Sequence, residues 1–273
     1  MRTPLPARAP RLRGARALFT TREGGVGKGP YESLNLARHV GDDDAVVSEN
    51  RSRVAEVVGR PLVFVDQVHG AQVHVLSRAE ASAHGASTRD GASTRDGASA
   101  RDEATPGPAQ PPVVTADALV TDRDDIALAI MVADCMPVLL SEAEAGVIGA
   151  AHAGRPGLLA GVLEATVAAM ERLGARAERI QAAVGPSACG RCYEVPPDMA
   201  EDAARRLPST RTRTSWGTPA IDLRAGAVEA LGRAGVPADA IDRDHPCAIE
   251  DPAWFSYRRS RTTGRFAGVI RRG

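Results

Sequence analysis

The sequence predicts an α/β layered fold, because apolar strand segments alternate with a segment of helical spacing. The central stretch 117–185 contains the apolar strand segments DALVT, IALAIMV, PVLL and GVIGAAHAG. GLLAGVLEATVAAMERLG follows with apolar residues at helical spacing, and IQAAVG is a further strand segment. Strands that alternate with helices in this way are typical of layered α/β proteins.

The segments before this stretch are predicted to be irregular and rich in strands. TTREGGVGKGPYESLNLARHVGDD, within residues 17–65, is rich in glycine and contains repeated turn signals. A short helix is expected from Ser48 to Val58, with Ser48 as its N-cap. PLVFVDQVHGAQVHVL has two β-branched apolar runs around a glycine, which predicts strand, turn and strand.

The helices of the second half have recognisable end signals. Pro156 occupies the expected first turn of the central helix, and Gly174 suits its C-cap. PPDMAEDAARRL and DLRAGAVEALGRAG predict two more helices, the second with Asp222 as its N-cap and Gly235 as its stop. FAGVIRR is expected to form the last strand.

The composition predicts a globular protein without an electrostatic footprint for nucleic acid or an anionic membrane. The chain has 273 residues, with 34 basic and 34 acidic side chains, so we expect no nucleic-acid partner. We also expect no membrane span, because no apolar run is long enough. The start, MRTPLPARAPRLRGAR, lacks the apolar stretch of a signal peptide. We therefore expect residues 1–15 to fray and the protein to be cytoplasmic, with its four cysteines reduced.

Residues 78–112 differ in kind from the rest of the chain. GASTRD, GASTRD and GASARD form a six-residue repeat, and TPGPAQPP follows. Small polar residues, Gly and Pro bury too little apolar surface to offset chain ordering, so a disordered surface insertion is expected here. A hexapeptide β-helix is the alternative, and the absence of apolar positions argues against it.

Three potential metal ligands follow apolar strand segments. Cys135 follows IALAIMVAD, His152 follows GVIGAA, and His69 lies in the turn of QVHG. Side chains at the ends of buried strands are held rigidly yet meet solvent, which is where open sheets place their sites. Two imidazoles and a thiolate suit zinc, and three protein ligands leave a position for water or substrate. Copper is disfavoured because too few histidines remain for a multicopper cluster.

Residue types alone leave other interpretations open. The three side chains could be fold residues, with Cys135 a small buried hydrophobe and the histidines hydrogen-bonded. A Cys–His hydrolase would use Cys135 as nucleophile and His152 or His69 as base, and it would keep working after chelation. The pair Cys189 and Cys192 has metal or redox spacing, but no second pair follows at finger spacing. Two thiols in a turn is therefore the favoured interpretation of that pair.

Seven segments of the chain occur together in an order typical of one family. They are TTREGGVGKGPYESLNLARHVGDD, QVHG, ADALVT, ADCMPVLL, IGAAHAG, AVGPSACGRCYEV and FSYRRSRTTGR. Together they resemble the multicopper polyphenol oxidase (laccase) family, also called the YfiH or peptidoglycan-editing-factor family. The resemblance covers residues 16–273 apart from the repeat. It implies a single α/β domain with mixed β-sheets flanked by helices, and a catalytic zinc site of His69, Cys135 and His152.

The resemblance also implies an activity and its partners. Members are described as purine nucleoside enzymes that phosphorolyse adenosine, inosine and methylthioadenosine and deaminate adenosine. The implied partners are thus a nucleoside and phosphate, and the oligomeric state is left open. Arg22, Arg51 and Arg258 lie in matching motifs and are candidates for holding phosphate, while Asn35 and Gln67 are candidates for binding polar groups of the substrate.

Other functions remain as alternatives within the resemblance. Some members are assigned to removing misincorporated serine from a peptidoglycan precursor, and a copper polyphenol oxidase or a non-catalytic partner in cell-wall growth are further possibilities. The sequence departs from the family at HAGWRG, which reads HAGRPG here with Arg155 and Pro156. Arg155 could restore the missing charge one residue early.

Overall fold

A computed structural model describes residues 5–79 and 114–273. The strands are β1 (Ala7–Arg8), β2 (Ala15–Thr20), β3 (Leu62–Val63), β4 (Val73–Leu76), β5 (Ala118–Thr121), β6 (Ala127–Val132), β7 (Met136–Glu142), β8 (Val147–Ala153), β9 (Gln181–Val184), β10 (Arg211–Arg213), β11 (Pro219–Ile221), β12 (Ile241–Asp242) and β13 (Phe266–Arg272). The helices are α1 (Asp44–Val58), α2 (Arg155–Leu159), α3 (Val162–Arg172), α4 (Pro197–Arg206) and α5 (Leu223–Arg233).

Two mixed β-sheets form the centre of the molecule. The first has the strand order β1-β2-β13-β6-β3, and the second has the order β12-β9-β7-β8-β5-β4. In the first sheet β13 is antiparallel to β2 and β6, whereas β3 is parallel to β6. In the second, β5, β8, β7 and β9 are antiparallel, and the edge strands β4 and β12 are parallel to their neighbours. Mixed sheets with flanking helices confirm the predicted fold class.

The alternating side chains of β6 show how the layers are stacked. Ala127, Ala129 and Met131 pack with the buried face of α1. Leu128 and Ile130 point the other way and pack against apolar side chains of the six-stranded sheet. The opposite face of that sheet is covered by α2 to α5. The chain therefore stacks four layers, with an apolar intersheet layer between the two sheets.

Helix α1 begins earlier than the sequence predicts. Its N-cap is Asp43, whose carboxylate accepts hydrogen bonds from the N–H groups of Ala45 (2.7 Å) and Val46 (3.2 Å). Ser48 lies inside the helix, where its hydroxyl donates to the carbonyl of Asp44. The predicted cap was wrong because Asp43 is as good a cap as serine and lies one turn earlier.

The central helical segment is broken into α2 and α3, although a continuous helix was predicted. Gly161 separates the two with φ of 89°, a left-handed conformation that glycine adopts without steric cost. Three other predicted helix end signals are confirmed. Pro156 lies in the first turn of α2. Asp222 caps α5 by accepting from the N–H of Ala225 at 3.0 Å, and Gly235 follows that helix with φ of 91°.

The expectation that residues 1–15 fray is corrected for residues 7–15. Ala7 and Arg8 pair with β2 at the edge of the five-stranded sheet. Leu12 is buried in the intersheet layer, and the N–H of Arg13 donates to Gln181 Oε1 at 2.8 Å. Burial of Leu12 and pairing of the sheet edge explain this order. The predicted disordered insertion lies outside the described residues except for residues 78 and 79.

No helix in the described part of the chain has both the length and the apolar character needed to cross a membrane.

Candidate active site

His152 lies at the carboxyl end of β8 and belongs to the intersheet layer. Ile148 and Ala150 of the same strand are in the intersheet core, and His152 points to the same side because side chains alternate along a strand. It is only 3% exposed. Its Nδ1 lies 2.8 Å from Asp117 Oδ1. This contact leaves Nε2 available to a metal, as in zinc sites with a carboxylate behind the histidine.

Asp117, just before β5, connects two of the predicted ligands. Its fully buried carboxylate accepts hydrogen bonds from the main-chain N–H groups of Gly70 (2.6 Å), His69 (2.9 Å) and Val68 (3.3 Å). These bonds hold a turn in which His69 has φ of 63°, a left-handed conformation uncommon outside glycine. Burial raises the pKa of Asp117, but its hydrogen bonds to His152 and to Gly70 outweigh burial and lower it. One carboxylate thus orients His152 and fixes the backbone of His69.

Cys135 precedes β7 and completes the group. Its Sγ lies 3.7 Å from His69 Nε2, and the rings of His69 and His152 are 4.6 Å apart between centroids. The donor atoms of the three residues all lie within 4.8 Å of one another. Gly154 permits this approach, since a Cβ there would lie 2.8 Å from Cys135 Sγ and 2.9 Å from His69 Cδ2. The structure thus brings together the three side chains predicted as ligands.

The ionisation of this group suits a metal cation. Burial raises the pKa of the Cys135 thiol, but hydrogen bonds to His152 and His69 outweigh it and lower the pKa to about 6. Burial lowers the pKa of His152, but Asp117 and Cys135 outweigh it and raise the pKa to about 9. At neutral pH the metal-free pair is therefore a thiolate beside an imidazolium. The thiolate is already the form that binds a metal.

A cavity of about 780 Å³ opens over these three side chains. Its lining includes three arginines, Arg258, Arg261 and Arg265. Arg258 is held by the carbonyl of Glu194 at 2.7 Å and stacks on the ring of Tyr193 at 4.5 Å. The remaining lining residues are His39, Gln67, Met131, Ala133, Asp134 and Tyr257. A donor group below and guanidinium groups at the side suit a polar ligand that carries an anion.

Asp134 lines this cavity and has one buried carboxylate oxygen without a hydrogen-bond partner among the described residues. Its Oδ2 accepts from the N–H of Arg258 at 2.7 Å. Its Oδ1 is buried and has no hydrogen-bond partner within residues 5–79 and 114–273. Asp134 has φ of 84°, so the chain adopts an unfavourable conformation just before Cys135. A buried acceptor without a partner is rare in folded proteins and marks Asp134 as a residue of functional interest.

Gln67 and Arg258, two of the five residues predicted to bind substrate, line the cavity. Both ends of the Gln67 amide are engaged by the main chain of Met131, with Nε2 2.8 Å from the carbonyl and Oε1 2.9 Å from the N–H. Gln67 therefore braces the cavity wall. Burial raises the pKa of Tyr193, and the charges of Arg258 and Arg155 oppose that shift. Arg155, in the departing HAGRPG motif, thus lies near the same wall.

Arg22, Arg51 and Asn35 are not among the residues that line the cavity. Asn35 is fully buried, accepts from the N–H of Arg265 (2.9 Å) and donates to Asp42 (2.9 Å). Arg51 donates to the carbonyl of Leu36, and burial lowers its pKa to about 10. Arg22 donates to the carbonyl of Glu32. These three side chains brace loops, and their role in substrate binding stays a prediction.

Several residues of the site were not predicted from the sequence, although the sequence contains signals for some of them. Tyr257, Arg261 and Arg265 lie in the same FSYRRSRTTGR segment as Arg258. Asp117 is a carboxylate at the start of an apolar strand segment, which is a costly place for a charge unless it has partners. His39 has no comparable signal.

Two packed mixed sheets, with two histidines and a cysteine meeting at the base of a cavity, define an α/β protein with a candidate metal centre. The sequence model of the family described as multi-copper polyphenol oxidoreductase laccase matches residues 16–273. The chain belongs to that family, which confirms the family predicted from the seven segments.

Relatives and solved structures resemble the chain along nearly its whole length. It is 45% identical over 264 residues to a purine nucleoside phosphorylase of Corynebacterium glutamicum, with 96% of each chain covered. A purine nucleoside phosphorylase of Streptomyces griseus is also 45% identical, over 267 residues and 96% of each chain. The crystal structure of YlmD from Geobacillus stearothermophilus has a TM-score of 0.78 at 33% identity, covering 95% of this chain and 92% of that one. The crystal structure of a Neisseria meningitidis protein of family DUF152 has a TM-score of 0.78 at 32% identity, covering 98% of each chain.

Proposed function

We propose that this protein is a zinc-dependent purine nucleoside phosphorylase acting on adenosine, inosine and methylthioadenosine, with adenosine deaminase activity. The observation that carries the proposal is one cavity lined both by the donor group of His69, Cys135 and His152 and by three arginines. Relatives named purine nucleoside phosphorylase, 45% identical over 96% of the chain, support the same substrate class.

The donor set fits zinc. Two imidazoles and one thiolate are usual zinc ligands, and Asp117 holds His152 in the tautomer that zinc sites use. Within the described residues, the groups of donors that lie together include no histidine besides His69 and His152, which disfavours a multicopper cluster. A bound Zn²⁺ with an open fourth position would supply Lewis-acid chemistry at the base of the cavity.

Phosphorolysis requires side chains that bind phosphate and side chains that bind the nucleoside. The bond between ribose C1′ and purine N9 breaks, a phosphate oxygen bonds to C1′, and the purine leaves with the electron pair and takes up a proton. We propose that Arg258, Arg261 and Arg265, which line the cavity, bind the phosphate anion and hold it near C1′. The carboxylate of Asp134, which also lines the cavity, would accept a hydrogen bond from a ribose hydroxyl or a purine N–H.

Deamination is proposed for the same cavity. Water adds at C6 of adenosine and ammonia leaves, which gives inosine without any need for phosphate. The two reactions therefore differ in their dependence on phosphate and in their products.

The test is product analysis by chromatography with purified, zinc-loaded protein. Adenosine with phosphate should give adenine and ribose 1-phosphate, together with inosine and the hypoxanthine formed from it. Adenosine without phosphate should give inosine only. His69→Ala should abolish both reactions, whereas His74→Ala, in β4 and outside the cavity, should leave them unchanged. Unaltered nucleoside with folded, zinc-loaded protein and phosphate would contradict the proposal.

A metal-independent Cys–His hydrolase is the second candidate, because the pKa of Cys135 is lowered to about 6 by its histidine neighbours. Chelation separates the two. Turnover that disappears with chelator and returns with zinc supports the metalloenzyme, whereas turnover that survives full zinc removal supports the hydrolase. Cleavage of a serine-containing muramyl precursor, without nucleoside turnover, would favour the editing function. Phenol oxidation by copper-loaded protein alone would favour the oxidase.

A further inference from the structure

A second group of potential metal donors lies outside the cavity lining. The thiols of Cys189, Cys192 and Cys247 and the carboxylate of Glu250 have donor atoms that all lie within 4.8 Å of one another. Cys192 Sγ is 3.2 Å from Glu250 Oε1, and the N–H of Cys189 is 3.4 Å from Cys247 Sγ. Cys247 is the ligand that the sequence did not reveal, because 54 residues separate it from Cys192.

We infer that these four side chains form a structural zinc site, with three thiolates and the Glu250 carboxylate as its ligands. Four protein donors close a tetrahedral coordination sphere, which is the arrangement of structural rather than catalytic zinc. Cys189 and Cys192 have the two-residue spacing common in such sites. The turn between them is fixed by N–H groups of Cys192 and Tyr193, which both donate to the carbonyl of Cys189.

Main-chain N–H groups face two of the three sulfurs. Besides the N–H of Cys189, the main-chain amides of Ile249 and Glu250 face Cys247 Sγ, and the amide of Arg191 faces Cys189 Sγ. Such N–H groups stabilise negative charge on sulfur. Cys247 is only 8% exposed. Once deprotonated, three sulfurs this close to a carboxylate would repel one another, and a cation between them would remove that repulsion.

A partly buried arginine adds charge compensation. Four anionic ligands exceed the charge of one zinc ion, so a nearby cation stabilises the site. Arg224 lies close enough for its charge to interact with those of Cys189 and Cys247. It donates to the carbonyls of Ser187 (2.9 Å), Pro246 (2.5 Å) and His245. The same guanidinium thus holds the two ligand-bearing loops side by side.

The site would join two loops that build the cavity wall. Ser187 and Cys247 form an isolated parallel β-bridge between the two loops. The N–H of Ala248 donates to the carbonyl of Ser187 at 3.0 Å. The first loop continues from Cys192 directly into Tyr193 and Glu194. The second leads to Arg258, which donates to the carbonyl of Glu194 and stacks on Tyr193. Zinc at this second site would therefore act as a positioning element for Tyr193 and Arg258.

The first test is metal content of the full chain, purified under reducing conditions with zinc present. We expect two zinc ions per wild-type chain, one in the His69→Ala/Cys135→Ala variant, and one in the Cys189→Ser/Cys192→Ser variant. One zinc in the wild type that is lost with His69 and Cys135 would overturn the inference. So would a disulfide between any two of the three cysteines in protein protected from air.

The second test does not require a cysteine variant to fold. In His69→Ala/Cys135→Ala, the remaining thiols are those of the second site, so added Co²⁺ should give a tetrahedral spectrum with strong thiolate-to-cobalt charge-transfer bands. A spectrum of octahedral cobalt without such bands would refute the site. Glu250→Gln in this background should release zinc to a competing chelator about tenfold more readily, with Glu178→Gln, an exposed control, unchanged. The inference does not depend on the proposed activity.

Discussion

Gly154 leaves the space in which Cys135 and His69 approach each other. A methyl group there would lie 2.8 Å from Cys135 Sγ and 2.9 Å from His69 Cδ2, well inside van der Waals contact. Gly154→Ala should therefore displace both donors and weaken zinc binding at least about tenfold, through loss of ligand geometry. The measurement is zinc affinity by competition with a chromophoric chelator.

Gly232→Ala is the matched control for this substitution. Gly232 lies in α5, where an added methyl group meets nothing within 4 Å. Zinc affinity should be unchanged, and helix propensity should raise the free energy of unfolding by up to about 1 kcal/mol. Equal zinc affinity in Gly154→Ala and wild type would show that the donors are not held as described.

Zinc binding to His69, Cys135 and His152 should release protons, and the ionisation of His152 sets their number. In the metal-free protein the pKa of His152 is raised to about 9 and that of Cys135 lowered to about 6. Between these values the metal must displace a proton from His152 but none from Cys135. Affinity should therefore rise about tenfold per pH unit from pH 6 to pH 9 and level off above.

Calorimetry in two buffers of different ionisation enthalpy measures this proton release at pH 7.5. We expect close to one proton per zinc at the first group, measured in the Cys189→Ser/Cys192→Ser variant. Asp117→Asn should release fewer protons, because its loss lowers the pKa of His152. Affinity that is flat from pH 6 to pH 9 would contradict this ionisation state.

The donors of the first group could be predicted from sequence, whereas most of their surroundings could not. Ligand type and position after an apolar strand are visible in the chain, and they identified Cys135 and His152. Whether a guanidinium faces a cavity depends on loop geometry that no local pattern encodes. Arg51, predicted to bind substrate, therefore braces a loop, while Arg261, which was not predicted, lines the cavity.

At the scale of elements, the cap of α5 offers a direct test of local structure. The carboxylate of Asp222 accepts from the N–H of Ala225 at 3.0 Å, which satisfies one of the free donors of the first turn. Asp222→Ala should lower the free energy of unfolding by about 1 kcal/mol. Urea denaturation measures the change.

Asp198→Ala supplies the comparison for that cap. Asp198 is exposed in the first turn of α4 and makes no capping hydrogen bond. Its substitution should change the free energy of unfolding by less than about 0.5 kcal/mol. Equal effects of the two substitutions would show that the Asp222 cap contributes nothing specific.

Element boundaries followed the sequence where a single residue type decides them. Asp222 and Gly235 mark the ends of α5 as predicted, because a capping carboxylate and a left-handed glycine have few substitutes. The start of α1 was misplaced since Asp43 and Ser48 are equally plausible caps. The break at Gly161 was missed because a single glycine inside an apolar helical pattern is often tolerated.

At the scale of the whole molecule, the repeat is expected to be dispensable. The three repeat copies occupy residues 85–102, and residues from the described ranges 5–79 and 114–273 supply the donor group and the arginines of the cavity. Deleting 85–102 shortens the connection between β4 and β5, and the loop-closure entropy changes by less than about 1 kcal/mol. Nucleoside turnover and the melting temperature should stay close to wild type.

A variant with the same eighteen residues in scrambled order is the control for that deletion. It should match wild type as well, since composition rather than order is expected to matter. A deletion that inactivates the enzyme, together with an inactive scrambled variant, would show that the repeat has a specific function.

The fold class was predictable from sequence, but the strand pairing was not. Apolar runs identified β5 to β9 because buried strands read as continuous apolar segments. β13 pairs with both β2 and β6, so strands from opposite ends of the chain form one sheet. Such long-range partners are chosen by the complementarity of whole faces, which local pattern does not contain.

The donor set of His69, Cys135 and His152 has a consequence for how the protein is prepared. Intrinsic affinities of nitrogen and sulfur ligands place Cu²⁺ above Zn²⁺, so these side chains alone do not reject copper. The metal that a preparation carries therefore reflects the supply in the growth medium. If zinc is the working metal, as proposed, cells raised on copper-rich medium are expected to yield partly copper-loaded protein, and a redox reaction of that material would report the medium.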